Sequence, residues 1–331
     1  VSTKKWIPSV AEPASLMTIK WGFLGASWVA STALVPAVAA AQNATLYAVA
    51  SRDPERSQKL NPTKVHATYE DLISDPEVDA VYISLANHLH LEWATKALNA
   101  GKHVLCEKPL ATSHVEAKQM ADAAAANDKL LVEAIWTRWH PRFERVVELV
   151  RNGDIGQLQN IDSAFTFTTT FTENYRLVPE MGGGSLLDVG PYQAHVWAAL
   201  VPSDSALKID SATANLGPTG IDLTTQVSAR LNDSVSVSAL TSFEQEEKQS
   251  LVISGNTGKI EFPQGQAFTS WKEASSIQIG EHVENFAPVD PFTLMIEAVG
   301  NRIGGESVWL PSLRESLWVM DMLDRIKAFS R

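Results

Sequence analysis

The chain has 331 residues, with 27 lysines and arginines against 38 aspartates and glutamates, and a net charge of -11. A length of that order implies two domains, and the acidic balance argues against a nucleic acid or an anionic membrane surface as partner. A single cysteine, Cys106, leaves no disulfide framework and implies a reducing, cytoplasmic setting, and no apolar run nears the roughly 18 residues that span a bilayer.

Residues 1–17 begin with basic residues but have no apolar core, so they are no secretory signal. They read as a leader, flexible or docked on the surface, or else as an ordered arm on a partner subunit. Thr18 to Leu24 is short, apolar and closed by Gly25, which predicts a strand. Gly25-Ala26-Ser27-Trp28-Val29-Ala30 follows, and then an alanine-rich helix to about Gln42. Strand, glycine turn and helix form the context of a dinucleotide fingerprint. Gly25 permits the turn, the helix start offers N–H groups to a pyrophosphate, and Ala30 lets helix and strand approach. Ser27 stands at the second glycine position, so a plain turn is the competing reading. Pro36 should bend the helix.

Ala44–Ala50 is a second strand and ends in Ser51-Arg52. An NAD-preferring site carries an acid there. A guanidinium suits a 2′-phosphate by charge and geometry, which points to NADP(H), with NAD(H) as the second candidate and a solvated surface arginine as the competing reading. Asp53 caps a short helix with Pro54 at its first position, and Thr68 and Asp71 have capping-box spacing in the next. Ala80–Leu85 is a buried strand. Asn87 caps a helix that ends at Gly101 and buries Trp93, Ala94, Ala97 and Leu98. His88 and His90 point to different faces, so they share no metal, and His90 either lines the cofactor cleft or is a satisfied structural histidine. His103–Cys106 is a strand that runs into Glu107-Lys108-Pro109. Ser113 and Glu116 open a helix to Asn127, and Leu130–Ala134 is the next strand. This alternation over residues 18–137 predicts a doubly wound, Rossmann-type parallel sheet.

Residues 138–331 have another rhythm. A helix at Pro141–Arg151 buries Phe143, Val146, Val147 and Val150 along one face. Strand-like runs follow at Leu158–Thr172, Leu223–Leu231, Ser234–Phe243, Ser250–Ser254 and Lys259–Phe262, the second and third joined as a hairpin at Asn232-Asp233. They predict an α+β domain with a large, mainly antiparallel open sheet. Helices near Pro291 and over Pro311–Phe329 close the chain, the last with Leu313, Leu317, Met320 and Leu323 on one stripe.

A lysine at the carboxyl end of a buried strand needs a partner or a task. Strand ends of an open α/β sheet are also where ligands sit, so Lys108 is the first candidate for facing a reacting carbonyl. The second is a segment after Gly182-Gly183-Gly184. If Leu186 onward is helical, Asp188, Tyr192 and His195 share a face. A phenol beside a lysine ammonium should titrate low, which makes Tyr192 a proton donor and acceptor. Structural roles for Asp188 and His195 are the competing reading. No cluster has metal-ligand spacing.

These motifs resemble the glucose–fructose oxidoreductase, inositol dehydrogenase and MocA-like family from about Thr18 to Phe329. They are the glycine loop, Ser-Arg-Asp after the second strand, Asn-x-x-His, Glu107-Lys108-Pro109 and Gly-Gly-Gly-x-Leu-Leu-Asp-x-Gly-x-Tyr. The pattern is most similar to dimeric dihydrodiol dehydrogenases and NADP-dependent xylose dehydrogenases. The resemblance implies that Lys108 binds the substrate oxygen and Glu107 the nicotinamide ribose. Asp188 and Tyr192 match an Asp-x-x-x-His/Tyr motif, with tyrosine where inositol dehydrogenases carry histidine. That difference argues against inositol as substrate and gives the acid/base role to Tyr192. Its implied cofactor contacts are Gly25, Ala26, Ser27, Trp28, Val29, Ser51, Arg52, Leu85, Asn87, His90, Glu107, Lys108 and Arg138, and Arg176 falls near the cleft. It also implies a carbohydrate-like substrate and a homodimer or dimer of dimers. A cofactor-sensing regulator on the same scaffold is the alternative; it would not need Lys108 or Tyr192.

Overall fold

A computed structural model of the chain describes residues 17–170, 173–263 and 265–330. The expected leader, apart from Met17, lies outside the described residues. Strands β1 (Ile19–Leu24), β2 (Ala44–Ala50), β3 (Lys64–His66), β4 (Ala80–Ile83), β5 (His103–Cys106) and β6 (Leu131–Glu133) form one sheet in the order β3-β2-β1-β4-β5-β6. Every neighbouring pair is parallel. β4 is buried at all four positions and β5 at three of its four, as strands covered on both faces are.

Helices α1 (Val35–Ala40), α2 (Pro54–Lys59), α3 (Tyr69–Ser74), α4 (His90–Asn99) and α5 (His114–Ala126) link these strands. A π-helical turn at Ala30–Leu34 precedes α1, so the pitch changes between Leu34 and Val35, just before Pro36, the residue expected to bend the helix. Asp53, Thr68 and Ser113 cap α2, α3 and α5 through their side chains. Asn87 does not cap α4. Its amide donates to the Gly182 carbonyl of the second domain at 2.9 Å, and a short 3-10 turn leads into the helix instead.

The second half opens with α6 (Pro141–Asn152), β7 (Leu158–Thr168), α7 (Ser185–Leu200) and β8 (Leu207–Leu216). It continues with β9 (Asp222–Leu231), β10 (Val235–Ser242), β11 (Glu244–Gly255), β12 (Lys259–Glu261), β13 (Ser275–Ile279) and β14 (His282–Phe286). Two helices close it, α8 (Pro291–Ile303) and α9 (Leu313–Phe329). The eight strands run β14-β13-β12-β11-β7-β10-β9-β8 and pair antiparallel, except β7 with β10. The β9–β10 hairpin turns at Asn232 and Asp233, both left-handed at φ +51° and +57°. β8, β13 and β14 were not expected, because β8 lies at the polar edge and the last two are short and half exposed.

α7 lies against β10, β9 and α9, burying Leu186, Val189, Trp197 and Leu323. The closing helices reach back across the molecule. Phe292, Met295 and Val299 of α8 share one core with Trp21 and Phe23 of β1, and α9 packs on α5 and β6. The Lys108 loop and α7 are therefore held by shared packing on both sides.

Candidate active site

The ends of β1, β2 and β4 meet where the strand order reverses, the crevice in which such sheets bind ligands. Gly25 donates its N–H to Ala50 at 2.8 Å and sits at φ +96°. A Cβ there would lie 3.0 Å from both the Leu85 side chain and the Ser84 carbonyl, so glycine is needed. Ser27 caps the helix start by accepting the Ala30 N–H at 3.1 Å, Ala26 is buried, Val29 is half-buried and Trp28 is open to solvent. Arg56 donates to the Ala26 carbonyl and braces the loop from below. Ser51 bonds the Asp53 carbonyl at 2.6 Å and Ser57 at 2.8 Å, leaving Arg52 exposed beyond the end of β2. This tight cradle of backbone, with an exposed cation beyond β2, fits a dinucleotide.

β5 carries the chain into Glu107, Lys108 and a cis peptide to Pro109. Glu107 accepts the Tyr82 hydroxyl at 2.7 Å and the Lys108 N–H at 3.3 Å, and burial raises its pKa. Lys108 Nζ donates to the Asp188 carbonyl at 2.7 Å and to Asp188 Oδ1 at 3.2 Å. It also stands 5.1 Å from the centroid of the Tyr192 ring, within cation–π range. Arg176 takes the other Asp188 oxygen at 3.0 Å while lying over the Tyr175 ring.

Burial disfavours every charge in this group, and the pairing answers it. Desolvation pulls Lys108 down, but Asp188 and its neighbours outweigh it and hold the ammonium above its ordinary pKa. Desolvation pushes Asp188 up, and Lys108 and Arg176 bring it below the usual carboxylate range. Tyr192 corrects an expectation. Burial raises its phenol above the ordinary value, and the Lys108 ammonium recovers only part of that. Its oxygen accepts the Trp136 indole N–H at 3.3 Å.

The glycine run places α7. A Cβ on Gly182 would strike Thr112 and Asn87, and one on Gly183 the Arg176 backbone at 2.5 Å. At Gly184, φ +113°, a Cβ would lie 2.1 Å from Asp222 Oδ1. Asp222 comes from β9 and supplies the cap that glycine cannot, accepting the Leu186 N–H at 2.7 Å and the Ser185 hydroxyl at 2.9 Å. Two turns on, His195 is buried with Nε2 2.9 Å from Glu133 Oε2.

Two expected cofactor contacts are engaged in the core. His90 is fully buried, its Nδ1 on the Pro109 carbonyl at 2.9 Å and its Nε2 on the Leu85 carbonyl at 3.1 Å, so both ring nitrogens are spent on the fold. Arg138 is buried on Glu315 at 3.1 Å and lies over Phe143 and Trp309, a pairing that draws it toward α9. Asn87 holds Gly182, as described. Three groups went unread in the sequence: Glu133, Asp222 and an aromatic wall round Tyr192. Phe165, Phe268 and Trp136 lie 5.7, 6.3 and 6.4 Å from its ring, and Phe292 stacks behind Trp136. Each comes from a different part of the chain, so no local pattern marks the wall. Among the described residues no group of His, Cys, Asp and Glu is placed to hold a metal, and no helix is long and apolar enough to cross a membrane.

Comparison with known proteins agrees with this geometry. A family model described as an oxidoreductase family with an NAD-binding Rossmann fold matches residues 19–135, and a GFO/IDH/MocA C-terminal domain matches 143–261. D-xylose 1-dehydrogenase (NADP(+)) 2 of Haloferax volcanii is 30% identical over 316 residues, 92% of this chain and 95% of that one. Trans-1,2-dihydrobenzene-1,2-diol dehydrogenase of Mus musculus is 29% identical over 279 residues, 82% of this chain and 81% of that one. Several other curated relatives are spanned over about half their length. A 3-ketoreductase from Actinomadura kijaniata, solved with NADP and TDP-benzene, superposes with a TM-score of 0.86 at 25% identity, over 95% of this chain and 98% of that one. Fold, glycine cradle and family matches agree, and the chain belongs to the GFO/IDH/MocA family of NAD(P)-dependent oxidoreductases.

Proposed function

We propose that the chain transfers a hydride between NADP(H) and a carbon bearing a hydroxyl or carbonyl on a sugar, polyol or dihydrodiol. Lys108 and Tyr192 serve as the working pair and Asp188 as the anchor of Lys108. The observation that carries this reading is the meeting of the Lys108 ammonium with the Tyr192 ring at 5.1 Å, one group from each domain.

When bound, the cofactor supplies or accepts the hydride at its nicotinamide. In the reductive direction Lys108, kept charged, hydrogen-bonds the carbonyl oxygen with the N–H that Asp188 leaves over and stabilises the alkoxide charge. Tyr192, kept neutral by burial, gives its proton to that oxygen, and the resulting phenolate faces the ammonium until solvent reprotonates it. The aromatic wall suits the C–H face of a sugar ring or the ring of a dihydrodiol.

The comparisons give support of another kind. The 3-ketoreductase of Actinomadura kijaniata was also solved as variants of a lysine and of a tyrosine that stand the same number of residues apart as Lys108 and Tyr192. We place the cofactor's adenosine end toward Ser51 and Arg52 and its nicotinamide end toward Glu107 and Lys108. The domain boundary falls in this proposal between residues 137 and 138, and the assembly is a homodimer or dimer of dimers in the cytoplasm, tested by light scattering. NADPH oxidation followed by absorbance against D-xylose, its ketone analogues and trans-dihydrodiols tests the reaction. Cofactor binding without turnover of any of these classes overturns it and leaves the sensor.

A further inference from the structure

Glu133 ends β6, and its side chain is sealed from solvent. One carboxylate oxygen accepts the Leu110 N–H at 3.1 Å, and the other faces His195 Nε2 at 2.9 Å. The buried Ser316 hydroxyl of α9 adds a third hydrogen bond. Desolvation pushes this carboxyl up, but His195 and the other donors outweigh it and keep it ionised. A carboxylate only accepts, so His195 carries its proton on Nε2.

The sequence positions of these donors give the arrangement its meaning. Leu110 follows Lys108 by two residues across Pro109, and His195 follows Tyr192 by three, just under one helical turn. Both groups of the working pair therefore sit one short, stiff segment away from the same buried charge. Nothing in the proposed reaction uses that charge, and neither Glu133 nor His195 reaches the cleft.

We infer that Glu133 and His195 form a positioning pair that fixes the Lys108 loop against α7, and so sets the separation of the Lys108 ammonium from the Tyr192 phenol. The inference rests on the catalytic reading above. Breaking the pair leaves the domains folded and lets α7 slide relative to the loop. A misplacement of about 1 Å at a reacting group costs on the order of 100-fold in rate.

The test needs a readout that plain stability does not move. Trp136 provides one, because its indole N–H is hydrogen-bonded to the Tyr192 oxygen. In protein labelled with 15N-tryptophan, Trp136→Phe identifies its resonance among the ten indoles. Tyr192→Phe then shows where that resonance moves once the acceptor is gone. His195→Ala is expected to shift the resonance toward the Tyr192→Phe position. His195→Gln, which restores a donor toward Glu133, returns it. If His195→Ala does not fold, His195→Asn carries the same expectation. A folded His195→Ala or His195→Asn protein with the parent resonance overturns the inference.

Kinetics supply the second arm. His195→Ala lowers NADPH-dependent turnover about 10- to 100-fold, leaves the NADPH KM within about twofold, and costs nothing further in a Tyr192→Phe background. An equal loss in both backgrounds also overturns the positioning role. Normal turnover by Tyr192→Phe alone overturns the catalytic reading instead, while the indole resonance still reports whether the pair holds loop and helix together.

Discussion

Two buried carboxylates serve α7, and they differ in what they face. Asp188 holds Lys108 and Arg176, whose side chains keep 12% and 28% of their surface exposed. Glu133 holds His195, and their side chains are 0% and 1% exposed. Both carboxylates are kept ionised against the cost of burial by their partners. The difference lies in the partners' freedom. An ammonium on a flexible stem with part of its surface exposed can turn from carboxylate to substrate without leaving either unsatisfied. A ring and a backbone N–H locked in the core cannot. The open cluster is built for chemistry and the sealed one for position.

Substitutions that separate chemistry from stability break this contrast most directly. Tyr192→Phe should lower turnover by roughly 10²–10⁴ and leave NADPH affinity unchanged, read by steady-state kinetics and fluorescence titration. Undiminished turnover would end the acid/base assignment. Glu133→Ala removes one partner of a buried pair and leaves the Leu110 N–H and His195 without an acceptor. It should destabilise the fold by about 3–5 kcal/mol in urea unfolding. Asp188→Asn leaves one side-chain oxygen and the backbone carbonyl for the two cations and turns an amide N–H toward one of them; because both cations keep some exposure it should cost about 1–2 kcal/mol of stability, while its loss in turnover exceeds any loss in stability. Comparable urea midpoints for Glu133→Ala and Asp188→Asn would erase the distinction between the two clusters. Gly184→Ala forces a side chain into φ +113° and against Asp222 at 2.1 Å, so it should lower the unfolding free energy, read from urea titration, by at least about 1–3 kcal/mol of strain.

What could be read in the sequence follows the same division. Continuous apolar runs mark parallel strands, so β2, half-buried over its first four residues, and the mostly buried β5 both appear in the sequence with the bounds they have in the structure. The hairpin at Asn232-Asp233 was legible because its turn needs residues that tolerate left-handed backbone. β8 and β14 were not legible, since the alternation of β8 slips by one residue where its register to β9 shifts, between Ile209 and Ser211, and β14 is short and mostly exposed. In the site, Lys108 and Asp188 stood out because glycines and a proline frame them. Glu133 did not, because a single acid in VEAIW looks like any strand end, and its three partners arrive from Leu110, His195 and Ser316. The core partners of His90 and Arg138 were hidden for the opposite reason. Polar residues near a cleft in sequence can be turned into the core when two carbonyls or a half-buried glutamate claim them.

The smallest expected effect lies farthest from both clusters, at the cofactor's other end. Arg56 is tied to the Ala26 carbonyl and shapes the loop, whereas Arg52 stands exposed after β2. If Arg52 meets a 2′-phosphate, it does so in high dielectric, where a single charge pair contributes about 1 kcal/mol or a little more and is weakened by salt. Arg52→Ala should therefore raise the Kd for NADPH about tenfold at low ionic strength and less at high ionic strength, with the Kd for NADH unchanged, measured by fluorescence titration. Equal weakening of both cofactors would mean that Arg52 acts on the shape of the turn. The choice of NADPH would then fall to Arg56, the other guanidinium at this end of the crevice.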